Sequence, residues 1–152
     1  MTPKLLFVPA LSTWGAAHVG IGFPGMINAS VSVTALHPVE LELGVEGSLG
    51  HQGLTARAGP ALRVLERRDA EGKGITMHAP MLLGYRRFAV GTTDAAHALT
   101  ANPTLTFDGW VSAHVAVELQ VTAGVSVMVA DPQDRVGSTV LPDFQVRMGM
   151  AF

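Results

Sequence analysis

Apolar and polar residues alternate along most of this chain, and this period of two is what most constrains its fold. In the clearest example, residues 39–46, every odd position is Val or Leu and every even position is Glu or Gly. Side chains of a strand point alternately to its two faces, so such a segment has one apolar and one polar face. No segment sustains the i, i+3, i+4, i+7 spacing of an amphipathic helix. The chain is therefore predicted to be all-β.

Gly and Pro residues divide the alternating segments into eight predicted strands. Residues 90–107, which contain Asn102-Pro103, are predicted to be irregular, and Thr122-Ala123-Gly124 to form a tight turn. The predicted strands cover residues 15–22, 27–35, 39–46, 54–67, 74–88, 110–121, 125–130 and 144–152. An alternative with ten strands adds a strand over residues 4–10 and a hairpin with its turn at Asp108-Gly109.

One domain, residues 14–152, accounts for all eight strands. Residues 1–13 contain a lone Lys and a short apolar run interrupted by Pro3 and Pro9. Such a segment is either the remnant of an export signal or an ordered extension of the first strand.

The composition indicates what the apolar faces contact. The chain is 48% hydrophobic and only 14% charged, whereas about 25% charged residues is typical of soluble domains. No run of about 18 apolar residues is present to form a spanning helix, so a membrane location requires a closed β-barrel. The polar faces carry Ser, Thr, Gly, His, Glu and Arg, which suit a narrow lumen filled by side chains. A soluble, lipocalin-like barrel with its apolar residues inside is the alternative, but its outer face would need more Lys and Glu.

Charge and motif content exclude several classes of partner. A formal net charge of -2 without a basic block gives no support for nucleic-acid binding. The chain has no Cys, and its six His residues lack the close spacing of metal ligands. No Gly-rich loop follows a strand and opens a helix, so no nucleotide site is indicated. We predict neither a metal nor a cofactor.

Connection lengths and aromatic residues predict an orientation. Among the predicted connections, two long ones at residues 89–107 and 131–143 lie at the same end of the barrel, whereas the turns at the other end are short. Transmembrane barrels have short periplasmic turns, longer external loops and periplasmic termini. Aromatic girdles are expected at both interfaces. The predicted external girdle contains Phe23, Tyr85, Phe88, Trp110 and Phe144, and the periplasmic one contains Trp14 and Phe152.

The C-terminal strand alternates Val146, Met148, Met150 and Phe152 with small or polar residues, and it ends on an aromatic carboxy-terminus. This pattern resembles the terminal signal by which the insertion machinery recognises bacterial outer-membrane β-barrel proteins, and residues 84–88 add to the likeness. The resemblance is to the superfamily, in its small eight-stranded form, and covers residues 14–152. It implies an integral protein of the bacterial outer membrane with two partners, the lipid bilayer and the insertion machinery.

Charged residues on the polar faces are predicted to meet inside the barrel. An unpaired charge in so narrow a bore costs several kcal/mol, so Glu–Arg pairs should cross the lumen. We expect Arg57 to lie between Glu42 and Glu46, and Arg147 to lie near a Glu. The predicted lumen network comprises Glu40, Glu42, Glu46, Arg57, Arg63, His78, Arg86, His114, Glu118 and Arg147.

A lumen filled by ion pairs predicts a structural or surface-interaction protein that acts through its external loops. Two alternatives are a small-solute channel formed by rearrangement of the network and a soluble barrel that binds a ligand. Ser112 and His114 share a predicted face near Asp108, as in a hydrolase triad, but these residue types are common at strand ends. We therefore predict that the protein is not an enzyme.

Overall fold

The computed structural model describes residues 15–36, 39–48, 51–89, 95–131 and 139–152. These residues form a closed barrel in which each strand pairs antiparallel with the next and the last pairs with the first. The prediction of an eight-stranded up-and-down antiparallel barrel is confirmed. The hairpin of the ten-stranded alternative is wrong, because Asp108-Gly109 lies within one continuous strand, and its added strand over residues 4–10 lies outside the described residues. The predicted N-terminal extension lies outside the described residues. The strands are β1 (Gly15–Phe23), β2 (Ile27–Leu36), β3 (Val39–Ser48), β4 (His51–Arg68), β5 (Gly74–Ala89), β6 (Ala95–Trp110), β7 (Ala116–Ala130) and β8 (Val140–Ala151).

The two ends of the barrel are named here by residues that lie at them. The Phe152 end contains Gly15, Phe152 and the turns at residues 69–73 and 111–115. The Phe23 end contains the connections that follow β1, β3, β5 and β7. Because β6 begins at Ala95 and not after residue 107, the connection between β5 and β6 is short. The predicted contrast in connection length between the ends is therefore largely lost.

The predicted irregular segment over residues 90–107 is wrong, since most of it is β6. This strand does alternate, with Thr and Asn buried and Leu99, Pro103 and Phe107 exposed. Several of its outward positions are Ala or Pro, so the alternation of large apolar and polar residues is difficult to recognise in the sequence. Asn102-Pro103 has the composition of a turn, yet Asn102 points into the lumen and Pro103 points out of the barrel.

The turn between β6 and β7 lies at residues 111–115, inside the segment predicted to be a strand. The Ser112 hydroxyl accepts hydrogen bonds from the backbone N–H groups of His114 and Val115, at 3.3 and 3.1 Å. The Val111 N–H donates to the Val115 carbonyl oxygen at 3.0 Å. A serine hydroxyl that binds nearby backbone N–H groups is a local alternative to strand pairing. Val111, Ala113 and Val115 alternate with polar residues here without forming a strand.

The predicted turn Thr122-Ala123-Gly124 is also wrong, because it lies within β7. Thr122 is fully buried, and its hydroxyl lies 3.0 Å from that of Thr104 on β6. A Cβ at Gly124 would lie 2.2 Å from the carbonyl oxygen of Ala101. The glycine therefore permits a close approach of the two strands rather than a change of chain direction.

The barrel is polar inside and apolar outside. Its largest fully buried side chains include Arg86, Arg147, Gln120 and Glu42, whereas Ile21, Leu43 and Leu83 are exposed. The apolar interior of the lipocalin-like alternative is therefore wrong for this chain. In the described part of the chain, no helix has the length and hydropathy needed to cross a membrane.

The aromatic residues follow the predicted girdles only in part. Phe23, Tyr85 and Phe144 are exposed towards the Phe23 end, and Phe152 is exposed at the other end. Phe88 and Trp110 are wrongly predicted, because both point inward, with exposures of 7% and 5%, and Trp110 lies at the Phe152 end. Trp14 lies outside the described residues.

The continuity of β7 predicts the reactivity of an introduced cysteine. The natural chain has no Cys, so single variants can be labelled selectively. In folded protein, Thr122→Cys should resist a small maleimide and react only after unfolding, because residue 122 is fully buried. Ala113→Cys, in the exposed turn, should react in both states. Equal rates for the two variants in the folded state would contradict a strand through residue 122.

Candidate lumen network

Three arginines and three carboxylates meet in the middle of the barrel. All six side chains are buried, and they come from β3, β4, β5 and β8. Their formal charges balance, so the cluster is neutral as a whole. We call this set the central network: Arg57, Arg86, Arg147, Glu42, Glu46 and Asp143.

Arg57 joins the two glutamates of β3. It lies directly opposite Glu42 in the β3–β4 register. Its Nη1 donates to Glu42 Oε1 at 3.0 Å, and its Nη2 donates to Glu46 Oε1 at 3.4 Å. Glu42 and Glu46 are four residues apart on one strand and share its inward face, so a single guanidinium on the neighbouring strand reaches both.

The other two arginines cross the lumen. Arg147 Nη1 on β8 donates to Glu42 Oε2 on β3 at 2.7 Å, although β1 and β2 separate these strands. Arg86 Nη2 on β5 donates to Glu46 Oε1 at 2.8 Å and lies 2.7 Å from Asp143 Oδ2 on β8. These pairs therefore link opposite walls of the barrel.

Neutral polar side chains add hydrogen bonds to the central network. Ser30 accepts from Arg147 Nη1, and Ser126 accepts from Arg86 Nη1, both at 2.7 Å. Asn102 donates to Asp143 at 2.8 Å, and Gln145 donates to both Glu46 and Asp143 at 3.1 Å. Such secondary contacts offset part of the cost of burying the charges. Among the described residues, Glu46 Oε2, Arg147 Nη2 and the Nε atoms of the three arginines have no hydrogen-bond partner.

Small residues at inward positions give the arginines room. Gly84 on β5 lies opposite Arg57 on β4. A Cβ at residue 84 would lie 2.7 Å from Arg57 Cγ and 2.3 Å from the carbonyl oxygen of Ala56. Glycine thus lets the long side chain of Arg57 lie against the barrel wall.

A second group of polar residues lies towards the Phe152 end. Asp108 Oδ2 accepts from the Thr76 hydroxyl at 2.5 Å and lies 2.8 Å from His78 Nε2. Trp110 Nε1 donates to Thr76 at 2.9 Å. Glu118 on β7 lies directly opposite Asp108, and its Oε1 lies 2.6 Å from Nε2 of His18 on β1. We call these six residues the Phe152-end cluster.

A small cavity opens beside the Phe152-end cluster. It has a volume of about 80 Å³ and is lined mostly by charged and polar side chains, which is room for a few water molecules. Ala16, Ala116 and Ala151 pack around Trp110 at this end, and the Arg68 guanidinium lies 4.0 Å from the Trp110 ring centroid. The residues that line the cavity include Glu40, Arg63, Glu66, Arg68 and Glu118.

Nine of the ten predicted lumen residues fall into three groups. Glu42, Glu46, Arg57, Arg86 and Arg147 meet in the central network, while His78 and Glu118 belong to the Phe152-end cluster. Arg63 pairs with Glu66 at 2.6 Å where both side chains reach the surface, and Glu40 lines the cavity. The placement of His114 in the lumen is wrong, because this residue is exposed in the turn between β6 and β7.

Several members of the two clusters, and two side chains that donate hydrogen bonds to them, were not predicted. Asp143 lies four residues before Arg147, so the alternation of β8 would have placed it inward had the strand been started before residue 144. Gln145 lies on the polar face of the predicted strand, but the predicted network contained charged and His residues alone. Asn102 and Asp108 were missed because their strand was interpreted as a loop or as a turn. His18 lies on the inward face of a correctly predicted strand. The predicted lumen network contained its partner Glu118 but not His18 itself.

The proposed hydrolase-like set is not assembled. Asp108 binds Thr76 and His78, and the Ser112 hydroxyl accepts from backbone N–H groups of its own turn. In the described ranges, no three His, Asp or Glu residues are arranged to hold a metal ion. What the geometry provides is a lumen crossed by paired charges.

Comparison with known structures identifies the architecture. The structure is similar to the crystal structure of the N-terminal β-barrel domain of OprF from Pseudomonas aeruginosa, with a TM-score of 0.58 over 92% of this chain and 95% of that chain. The two barrels share one fold. At 12% sequence identity, the likeness to the OprF barrel establishes the fold alone. The predicted resemblance to a small eight-stranded outer-membrane barrel is confirmed at the level of the fold. No protein-family model and no curated protein sequence matches the chain.

The central network predicts a large difference in the free energy of unfolding between two glutamate variants. Glu46→Gln removes the charge that faces Arg57 and Arg86, and it should lower the free energy of unfolding by about 3 kcal/mol, as when a buried pair loses one partner. Glu71→Gln, at an exposed pair with Lys73, should change little. Urea unfolding in a fixed detergent measures both. Equal small effects would show that the buried charges do not stabilise the barrel.

Proposed function

We propose that this chain is an integral β-barrel protein of the bacterial outer membrane with a closed lumen and a structural or surface-interaction role, and not an enzyme. The observation that carries the proposal is the inverted distribution of residues, with charges inside the barrel and large apolar side chains outside it. In water such a surface would expose far more contiguous apolar area than soluble monomers do. Lipid is the solvent that suits it.

The spacing of the outward-facing charges along the barrel axis fits a membrane of ordinary thickness. Among the strand residues described, only Arg67 on β4 and Arg87 on β5 are charged and face outward. Ile75, which lies opposite Arg67, precedes Arg87 by twelve residues on β5. At about 3.3 Å per residue and a tilt of about 40°, the two arginines lie about 30 Å apart along the barrel axis. That spacing matches the hydrocarbon core of a bilayer, with an arginine near each interface.

The central network supports a closed lumen. Its side chains link β3 to β8 and β5 to β8, and their charges neutralise one another. Opening a path for ions or solutes would require separating pairs that have little access to water, which costs several kcal/mol. The cavity at the Phe152 end lies beside the Phe152-end cluster and not among the central arginines.

In the proposed orientation, the Phe152 end faces the periplasm and the Phe23 end faces the exterior. The surface role then falls to the connections after β1, β3, β5 and β7. On β8, Met148, Met150 and Phe152 are exposed on the lipid-facing side and Val146 is half-buried. This apolar face is the one that the insertion machinery is proposed to recognise.

A closed lumen predicts the electrical behaviour of the purified protein. Folded protein, verified by flotation with liposomes and by a heat-dependent shift on a semi-native gel, should produce no stable unit steps in a planar bilayer. Stable steps in the natural protein whose size changes in Glu42→Gln or Arg57→Gln would contradict the closed lumen and favour the small-solute channel. Protein that stays monodisperse without detergent and shows no gel shift would contradict the membrane location itself.

The C-terminal aromatic predicts a defect in assembly but not in folding. Phe152→Ser should lower the amount of folded protein in the outer membrane of expressing cells several-fold, whereas refolding of the purified variant into detergent should be nearly normal. Phe144→Ser is the matched control, because Phe144 is also an exposed aromatic on β8 but lies at the Phe23 end. Similar assembly of the two variants would contradict recognition of the C-terminal residue.

A further inference from the structure

Arg87 stands out on the outer surface of the barrel. It follows the fully buried Arg86 on β5, so its side chain points out of the barrel. Along β5 the outward positions that precede it include Ile75, Met81 and Leu83, which are exposed and apolar. Within the described residues, Arg87 has neither an ion-pair partner nor a side-chain hydrogen bond.

Two polar neighbours share the outward face with Arg87. His97 on β6 lies directly opposite it, and Tyr85 lies two residues earlier on β5. The Tyr85 hydroxyl is hydrogen bonded to His97 Nδ1, and the two rings stack with their centroids 5.7 Å apart. Because Nδ1 is engaged by Tyr85, Nε2 is the ring nitrogen left to bind a further group.

These three residues combine one permanent positive charge with directed hydrogen-bond donors. A guanidinium presents a planar fork of N–H groups that fits two oxygens of a phosphate at once. When the Tyr85 hydroxyl donates to Nδ1 of His97, the neutral imidazole carries its proton on Nε2, and this N–H adds one directed donor beside the guanidinium. The hydroxyl itself orients the ring. Within the part of the barrel that the structure describes, no carboxylate on the outward face of a strand competes for this charge.

We propose that Arg87, His97 and Tyr85, here called the outer patch, bind the phosphate of a phosphorylated lipid in the leaflet at the Phe23 end. This inference rests on the proposed membrane location, which puts Arg87 about 30 Å from Arg67 and hence at the level of the headgroups. An anionic headgroup would neutralise a cation that no described residue neutralises.

Arg67 provides the internal comparison. It is the other outward-facing strand charge of the described residues, and its neighbour across the β4–β5 pair is Ile75. No described His or Tyr lies opposite it. An effect caused by a single interfacial arginine should therefore appear at both positions, whereas an effect of the outer patch should appear at Arg87 alone.

Native mass spectrometry of the full chain, released from nanodiscs of phosphatidylcholine with or without phosphatidic acid, tests this proposal. The phosphatidic acid probe supplies a phosphate monoester headgroup. The natural protein should retain bound phosphatidic acid, and Arg87→Gln should retain roughly tenfold less, the loss expected when one charge-assisted bidentate contact is removed. His97→Leu and Arg87→Lys should show intermediate losses, and Arg67→Gln should behave like the natural protein.

Equal retention by Arg87→Gln and the natural protein would overturn the proposal, as would an equal loss in Arg67→Gln. Inorganic phosphate is added in a further arm. Displacement of the lipid by millimolar phosphate would show that the outer patch binds free phosphate and would overturn the proposal of a lipid ligand. Unchanged retention of the lipid supports that proposal. All variants are first incorporated into nanodiscs and checked for the heat-dependent gel shift. Failure of the natural protein at that step would count against the proposed membrane location and not specifically against the outer patch.

Discussion

Three guanidinium groups and three carboxylates, packed side by side in the bore of an eight-stranded barrel, are the interaction on which the rest of this structure depends. A bore of this size is filled by side chains, and the inward faces of eight strands must supply them. Arg86 and Arg147 reach across the lumen to Asp143 and Glu42, and Arg57 joins Glu42 and Glu46 on the neighbouring strand. Removing one member leaves an uncompensated buried charge, so the set is stable only as a whole.

The central network also explains the composition of the outer face. In the described strands the charged residues lie inside the barrel or near its ends, so the large side chains at the outward positions are mostly Val, Leu, Ile, Met and Phe. This division reconciles a high proportion of apolar residues with the absence of an apolar core of ordinary size. The buried apolar clusters are small and lie at the ends, around Trp110 and around Phe88.

How well the sequence predicted the structure depended on the size of the outward residues. On β3 every outward position from residue 39 to residue 45 is Val or Leu and every charged residue faces inward, so the strand and its pairing with Arg57 follow directly. On β6 the outward face includes Ala101 and Pro103, and the alternation was hidden. At residues 111–115 the reverse occurred, because an alternating pattern continued into a turn held by the Ser112 hydroxyl. Contacts between distant strands, such as Arg86 with Asp143, depend on the register of the whole barrel, which no local pattern specifies.

The claim that the outward faces lie in lipid is tested most directly by spin labels placed one at a time along β5 from residue 75 to residue 87, in protein reconstituted into liposomes. The account predicts that oxygen accessibility alternates with a period of two, is high at the odd positions and is greatest near Met81, midway between the two ends of this segment. Accessibility to a water-soluble nickel complex should rise only towards Ile75 and Arg87. Odd positions that are open to the nickel complex along the whole strand, or oxygen accessibility that is greatest at the even positions, would contradict a barrel with its apolar face in the bilayer.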